Sequence, residues 1–253
     1  MPAGEGRVAL ITGASSGIGR ATALAFARDG YATVVADVAE EQGRATATDC
    51  GRLGQQSRFI CCDVSDKASV RRLIAETVAS FGRLDAAFNN AGTLGELAQT
   101  GDCSTSNFDR VIAVNLRGTW LCMRQELRQM AKQESGGAIV NCSSVAGLVG
   151  FPGIPAYVAS KHGVVGLTRA AALEYGRQKV RVNAVCPGPI QTAMLDQLMP
   201  GVPGGEEALV QLEPVGRIGA PDDISAAVVW LCSPEASFVT GQAIAVDGGW
   251  TTG

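Results

Sequence analysis

Short runs rich in β-branched and small apolar residues recur along the chain, at residues 8–11, 33–36, 58–61, 86–89, 138–142, 181–185 and 243–246. Several are apolar almost throughout, the pattern of strands covered on both faces. Between them, apolar positions spaced for one face of a helix predict helices over 19–29, 67–81, 108–132, 157–177 and 221–232. Strand and helix alternating in this way implies crossover connections and a parallel sheet. The expected fold class is α/β. It is a single-domain, Rossmann-like, doubly wound parallel sheet of about seven strands, one per run, with helices on both faces.

No linker divides residues 1–253. The least regular stretch is 188–213, with Pro189, Pro200, Pro203 and the pair Gly204-Gly205. A break this long inside a domain is more often a functional lid than an idle loop, so a substrate lid is expected there. In open α/β sheets ligands bind at the carboxyl ends of the strands, which directs attention to the residues just after each run.

Composition narrows the function classes. Hydrophobic residues make up 46% and charged residues 18%, which excludes a disordered or solvating chain. A net charge of −3 with scattered Lys and Arg offers no stripe for a nucleic-acid backbone. No apolar run approaches the ~18 residues of a membrane span, and residues 8–11 are too short for a signal-peptide core, so a cytoplasmic protein is expected. There are eight cysteines but one histidine, and Cys61 and Cys62 are adjacent rather than spaced as metal ligands. No metal is expected.

The first run leads straight into Thr12-Gly13-Ala14-Ser15-Ser16-Gly17-Ile18-Gly19, ahead of a helix. Glycine lets a backbone turn tightly and approach a pyrophosphate, whose charge is favoured at a helix N-terminus. Three residues separate the first two glycines, a wider turn than GxGxxG. The second run ends at Asp37 and Val38. An acid near this offset accepts hydrogen bonds from the ribose hydroxyls of NAD, and it would repel the 2′-phosphate of NADP. NAD is therefore expected over NADP. Asp37 could instead cap the next helix.

With these residues in view, the sequence resembles the short-chain dehydrogenase/reductase family over nearly its whole length. The resemblance rests on Thr12-Gly13-x-x-x-Gly17-x-Gly19, Asp63-Val64, Asn89-Asn90-Ala91-Gly92, Asn115, Ser144, Tyr157-x-x-x-Lys161, Pro187-Gly188 with Thr192, and Asp247-Gly248-Gly249. It implies that Asp63 and Val64 hold the adenine. It also implies that Asn90, Ala91 and Gly92 line the cofactor, and that Pro187, Gly188, Ile190 and Thr192 bracket the nicotinamide. Taken alone, Asp63 reads as a helix cap.

Tyr157 and Lys161, four apart at a helix start, share one face. A free phenol, with a pKa of ~10, is a poor base at neutral pH. A neighbouring ammonium and an oxidised nicotinamide both favour the phenolate, which is the physical reason for pairing this Tyr with this Lys and this cofactor. The resemblance implies a tetrad. Tyr157 exchanges the proton of the substrate hydroxyl, and Lys161 also binds the nicotinamide ribose. Ser144 hydrogen-bonds the substrate oxygen, and Asn115 holds a water linked to Lys161. Ser143 is chemically equal to Ser144, and only spacing within the family pattern separates them. Asn115 could instead be a locally satisfied polar residue at a helix bend. His162, next to Lys161, points about 100° away and reads as structural. Trp120, Trp230 and Trp250 read as packing or interface residues.

Substrate-contact candidates, beside Ser144 and Tyr157, are Leu94 and Leu148 after their strands and Pro189, Met194 and Leu198 in the lid. Such a wall suits a hydrophobic secondary alcohol or cyclic ketone. Broad apolar surface on 108–132 and 157–177 predicts a homo-oligomer, and the resemblance implies a homotetramer. Two alternatives stay open: a 3-oxoacyl carrier-protein reductase, and a non-enzymatic dinucleotide-binding protein.

Overall fold

In the computed structural model, which describes residues 4–252, the first apolar run becomes β1 (Val8–Thr12), buried along its whole length. It leads into α1 (Gly17–Arg28), and strand and helix then alternate through β2 (Ala32–Asp37), α2 (Glu40–Gly51), β3 (Ser57–Cys61), α3 (Lys67–Phe81) and β4 (Ala86–Asn89). The second half runs α4 (Thr105–Val111), α5 (Thr119–Met130), β5 (Gly137–Cys142), α6 (Pro155–Tyr175) and β6 (Val180–Pro187). It continues through α7 (Ala193–Leu198), α8 (Gly205–Leu212) and α9 (Pro221–Cys232) to β7 (Ala243–Val246).

All seven strands form one sheet in the order β3-β2-β1-β4-β5-β6-β7, with every pairing parallel. The chain works outward from β1 to β3, returns to β4 beside β1, and then works outward the other way. Loops leaving β1 and β4 therefore diverge, which opens a crevice at their carboxyl ends.

Alternate strand residues point to opposite faces. Leu10, Val34, Ile139 and Val182 pack under α3, α5 and α6. Ile11, Val35, Val140 and Val185 pack under α1 and α9. Both faces of the central strands are covered, so β1, β2, β4 and β5 are buried nearly throughout, whereas the edge strands β3 and β7 are exposed in part. A third, smaller cluster lies above the carboxyl ends of β4 and β5, where Leu94, Val111, Ala146, Ile154 and Tyr157 meet.

Three local features differ from expectation. Helix α2 has no counterpart in the sequence reading. It is polar and buries only small residues, with Gly43 under the ring of Phe59, where a Cβ would sit 2.1 Å from ring carbon Cε2. The predicted helix 108–132 is three pieces: α4 and α5 flank a π-helical turn at Ile112–Gly118. The stretch 188–213 is not irregular throughout, since it holds α7 and α8. Among the described residues no helix is long and apolar enough to cross a membrane, and no group of three or more metal-ligating side chains is gathered.

Candidate active site

The crevice is held open by bonds between the loops after β1 and β4. Thr12 Oγ1 accepts from the amides of Asn90 (3.1 Å) and Ala91 (3.2 Å). The Asn90 side chain donates back to the carbonyls of Thr12 (3.2 Å) and Gly13 (3.0 Å). Gly13 has φ +65°, and a Cβ there would lie 2.8 Å from Ala91 Cα, so only glycine fits. Gly19 does not line the crevice. It lets α1 pack on the turn, because a Cβ there would be 2.1 Å from the Gly13 carbonyl oxygen.

Ser16 precedes α1 without a side-chain capping bond, and the first turn of α1 carries no acid. With Ser15, Ser16, Gly17 and Ile18 at the crevice wall, the first N–H groups of the helix are placed to receive an anion. Both carboxylate oxygens of Asp37 accept backbone amides, from Ser15 (3.0 Å) and Ala39 (3.0 Å). Asp37 thus ties the end of β2 to the glycine turn, and it borders the crevice with exposed Val38. Asp63 and Val64 also line it. The Asp63 carboxylate accepts from the amide and hydroxyl of Ser65 at 2.8 and 2.7 Å, a local turn; the cap of α3 is Asp66.

Across the crevice stand Pro187, Gly188, Ile190 and Thr192. A Cβ on Gly17 would lie 3.1 Å from Thr192 Cγ2, so the segment after β6 starts against the glycine turn. Ala91 and Gly92 complete this part of the wall with Asn90.

Pro155 opens α6 at a position where no N–H is needed, and Tyr157 and Lys161 follow one turn apart, both buried. Lys161 Nζ lies 5.4 Å from the centre of the Tyr157 ring and donates to the Cys142 carbonyl at the end of β5 (2.7 Å). A Cβ on Gly92 would sit at ordinary contact distance, 3.7 Å, from Lys161 Nζ, and both residues line the crevice. The Tyr157 hydroxyl lies 3.9 Å from the sulfur of Met194.

The two serines after β5 are placed differently. Ser143 is buried and donates to the Lys161 carbonyl (2.9 Å). Ser144 is only half-buried, at the crevice wall, where its hydroxyl accepts from the Ala146 amide (3.1 Å). Asn115 lies in the π-helical turn, wholly buried and behind the wall. Its side chain donates to the Thr93 carbonyl (2.9 Å) and Ser160 Oγ (3.1 Å) and accepts from the Thr93 amide (2.8 Å). The turn thereby braces the loop after β4 against α6 beside Lys161. His162 is exposed and bonded within its own helix to the Val158 carbonyl.

The crevice encloses about 1420 Å³. That exceeds the ~300–1,000 Å³ of a site for one drug-sized ligand and leaves room for two molecules. Leu94, Pro189, Met194 and Leu198 line the half beyond Tyr157. Leu148 does not, which corrects the expectation: the 3₁₀ turn Val145–Gly147 presents Val145 and Ala146 to the crevice and leaves Leu148 past its end. Sequence reasoning missed Phe151, Ile154 and Trp250, which also face this half. From the sequence Trp250 reads as a packing or interface residue, and nothing in its local spacing marks it otherwise. Arg20 and Arg28 border the opposite half from α1, and Arg20 is paired with Asp49 at 2.9 Å.

Comparison with known proteins bears on this geometry. Residues 13–251 match the family model described as enoyl-(acyl carrier protein) reductase. The chain is 41% identical over 247 residues to a 2,5-dichloro-2,5-cyclohexadiene-1,4-diol dehydrogenase of Sphingobium indicum, covering 98% of each. It is 42% identical to the cyclohexanol dehydrogenase of an Acinetobacter species, covering 97% of this chain and 95% of that one. The crystal structure of levodione reductase superposes with a TM-score of 0.94 at 38% identity, over 98% of this chain and 99% of the other.

Proposed function

This chain belongs to the short-chain dehydrogenase/reductase family, and from that premise we propose that it is an NAD-dependent dehydrogenase of hydrophobic cyclic secondary alcohols, or a reductase of the matching ketones. The observation that carries this reading is the buried Lys161 ammonium 5.4 Å from the Tyr157 ring, in one crevice with the glycine turn and an apolar end.

A nicotinamide dinucleotide, when bound, supplies the two-electron acceptor or donor for the carbinol carbon. Gly13, Ser15, Ser16, Gly17 and Ile18 offer amides and close approach to its pyrophosphate. Asp37 accepts from ribose hydroxyls and disfavours a 2′-phosphate, with Val38 beside it. Asp63 and Val64 border the adenine, and Asn90, Ala91 and Gly92 the central portion. Pro187, Gly188, Ile190 and Thr192 hold the nicotinamide end. The segment 188–213, with its two short helices, serves as the lid.

Tyr157 takes the proton from the substrate hydroxyl in oxidation and returns it in reduction. Lys161 stabilises the phenolate by its charge. Ser144 hydrogen-bonds the substrate oxygen as charge develops on it. Asn115 acts as a positioning residue, through Thr93 and Ser160. Leu94, Pro189, Met194 and Leu198 exclude water around the carbinol. The enzyme works as a homotetramer.

The description of the matching family favours a second reading, a reductase of acyl groups on a carrier protein. Against it stands the crevice lining, whose basic residues are Arg20, Arg28 and Lys161, none of them in the apolar half that would admit such a substrate.

Purified protein incubated with NAD⁺ and a panel of cyclohexanol, substituted cyclohexanols and linear 2-alkanols is expected to form NADH, fastest with the cyclic alcohols. Inactivity on the panel combined with reduction of an acetoacetyl or a crotonyl thioester by NADPH would replace this reading with the second.

A further inference from the structure

The motif Asp247-Gly248-Gly249 has no part in the chemistry above, yet it is built with care. Asp247 Oδ1 accepts from the Gly249 amide (3.0 Å), and Oδ2 accepts from the Thr251 amide (2.9 Å) and hydroxyl (2.6 Å). Burial works against the charge, but these donors prevail and hold the Asp247 carboxyl below its ordinary value. Gly248 and Gly249 both take left-handed backbone, at φ +65° and +93°. A Cβ at 248 would lie 2.7 Å from Val215 Cγ2, and one at 249 would lie 3.0 Å from Pro214 Cγ. The turn therefore admits no larger residue at either place.

This turn delivers Trp250. The Trp250 amide donates to the Asp247 carbonyl (3.2 Å), and the indole stands perpendicular to the Phe151 ring, with centroids 5.2 Å apart at 90°. Phe151, like Met194, packs on the cluster that contains Tyr157 and Ile154. Trp250 belongs to none of the three buried clusters; it is half-buried at the crevice wall. The Val215 amide donates to the Gly248 carbonyl (3.1 Å), so the chain leaving α8 is fastened to the same turn.

We propose that Trp250, set by the Asp247-Gly248-Gly249 turn against Phe151, is a specificity-determining residue that selects a ring-shaped, uncharged substrate over an open chain. Two perpendicular rings wall one space with flat apolar surface, a shape that a compact ring fills by van der Waals contact of its C–H groups. A rigid ring enters without losing internal rotations, whereas a flexible chain must freeze them. The side chains gathered at this end of the crevice, Leu94, Phe151, Ile154, Met194, Leu198 and Trp250, are apolar, so a carboxylate or phosphate on the substrate would find no partner among them.

The proposal rests on the alcohol-dehydrogenase reading, and its test separates the two. The ratio of kcat/KM for cyclohexanol to that for 2-hexanol is measured at saturating NAD⁺ in the unaltered protein, Trp250→Ala, Trp250→Phe and Phe151→Leu. The ratio is expected to fall about tenfold in Trp250→Ala, the loss of roughly two methylenes' worth of apolar contact. It should fall in the same direction in Phe151→Leu and stay near the original in Trp250→Phe, with KM for NAD⁺ unmoved throughout. Equal losses for both alcohols, or no change, would overturn the proposal and leave Trp250 a packing residue. If the unaltered protein oxidises neither alcohol, the reaction class is wrong. The Trp250–Phe151 pair is then tested by titrating cyclohexanone into a Trp120→Phe/Trp230→Phe variant whose sole indole is Trp250. Saturable quenching would sustain it and an unchanged spectrum would reject it.

Discussion

Asn89 and Glu126 meet where water does not reach, the amide nitrogen of Asn89 donating to Glu126 Oε2 at 2.8 Å with both residues buried. The same nitrogen donates to Asn141 Oδ1 (3.0 Å), whose own amide reaches Thr168 Oγ1 (2.9 Å), so a polar seam joins β4, β5, α5 and α6. Among the described residues, Asn89 Oδ1 and Glu126 Oε1 are the buried side-chain atoms left without a partner. Burial pushes the Glu126 carboxyl from its ordinary 4.5 up to about 8, the bond from Asn89 pulling the other way. The acid is neutral in the folded protein at pH 7.

A pH dependence of stability follows from Glu126. Below pH 4.5 both folded and unfolded chains carry its proton, and its contribution is fully present. Between 4.5 and about 8 only the folded chain keeps the proton, so stability falls by about 1.4 kcal/mol per pH unit, about 5 kcal/mol over the window. In Glu126→Gln, which cannot ionise, this slope is absent. Urea midpoints at pH 5 and pH 8 should be similar for the two proteins at the lower pH and favour the glutamine variant at the higher. Parallel midpoints across the range would show that Glu126 does not titrate this way.

The neighbours Ser143 and Ser144 should separate by phenotype. Ser144→Ala removes a donor from the substrate oxygen and is expected to lower kcat by about 10²-fold or more, with little change in stability. Ser143→Ala removes the bond to the Lys161 carbonyl, costing about 1 kcal/mol or somewhat more of stability because the acceptor is buried. Its kcat should fall far less. Steady-state rates and thermal unfolding of both variants provide the check.

How far the sequence could be read differs from element to element, for physical reasons. The central strands were legible because a sheet covered on both faces favours continuous apolar runs. The glycine turn was legible because close approach of Gly13 to Ala91 and of Gly19 to Gly13 leaves no other residue type possible. Helix α2 was not, because it meets the sheet through Gly43, Thr46, Ala47 and Cys50, which leave no apolar stripe. The π-helical turn was hidden as well. It follows from tertiary demands on Asn115 and from Gly118 seated 2.8 Å (as a Cβ) from Val64 Cγ2, and an extra residue per turn has no compositional mark.

Within the crevice the same rule holds. Tyr157 and Lys161 lie four apart on one helix, so their shared face follows from helix geometry, whereas Ser144, on the loop after β5, is picked out only through the family pattern. Trp250 comes after the last strand and reaches Phe151 across about a hundred residues of chain (250 less 151), a contact that only the closed fold creates.

Cofactor choice should follow Asp37. Replacing it with serine removes the charge that opposes a 2′-phosphate and also frees the amides of Ser15 and Ala39. The ratio of kcat/KM with NADH to that with NADPH should drop by about tenfold or more, given the energy of a close charge pair at partial exposure. Measuring both coenzymes with one ketone gives the ratio directly, and an unchanged ratio would remove Asp37 as the discriminating group.

The most direct test of the central claim is Tyr157→Phe, which deletes one oxygen atom and leaves the ring beside Lys161. NADH formation from cyclohexanol is predicted to fall at least 10³-fold, near the range of positioned proton transfer, while NADH still binds with close to its original affinity by fluorescence titration. Turnover close to that of the unaltered protein would contradict the account, because the proton would then be moving through some other group.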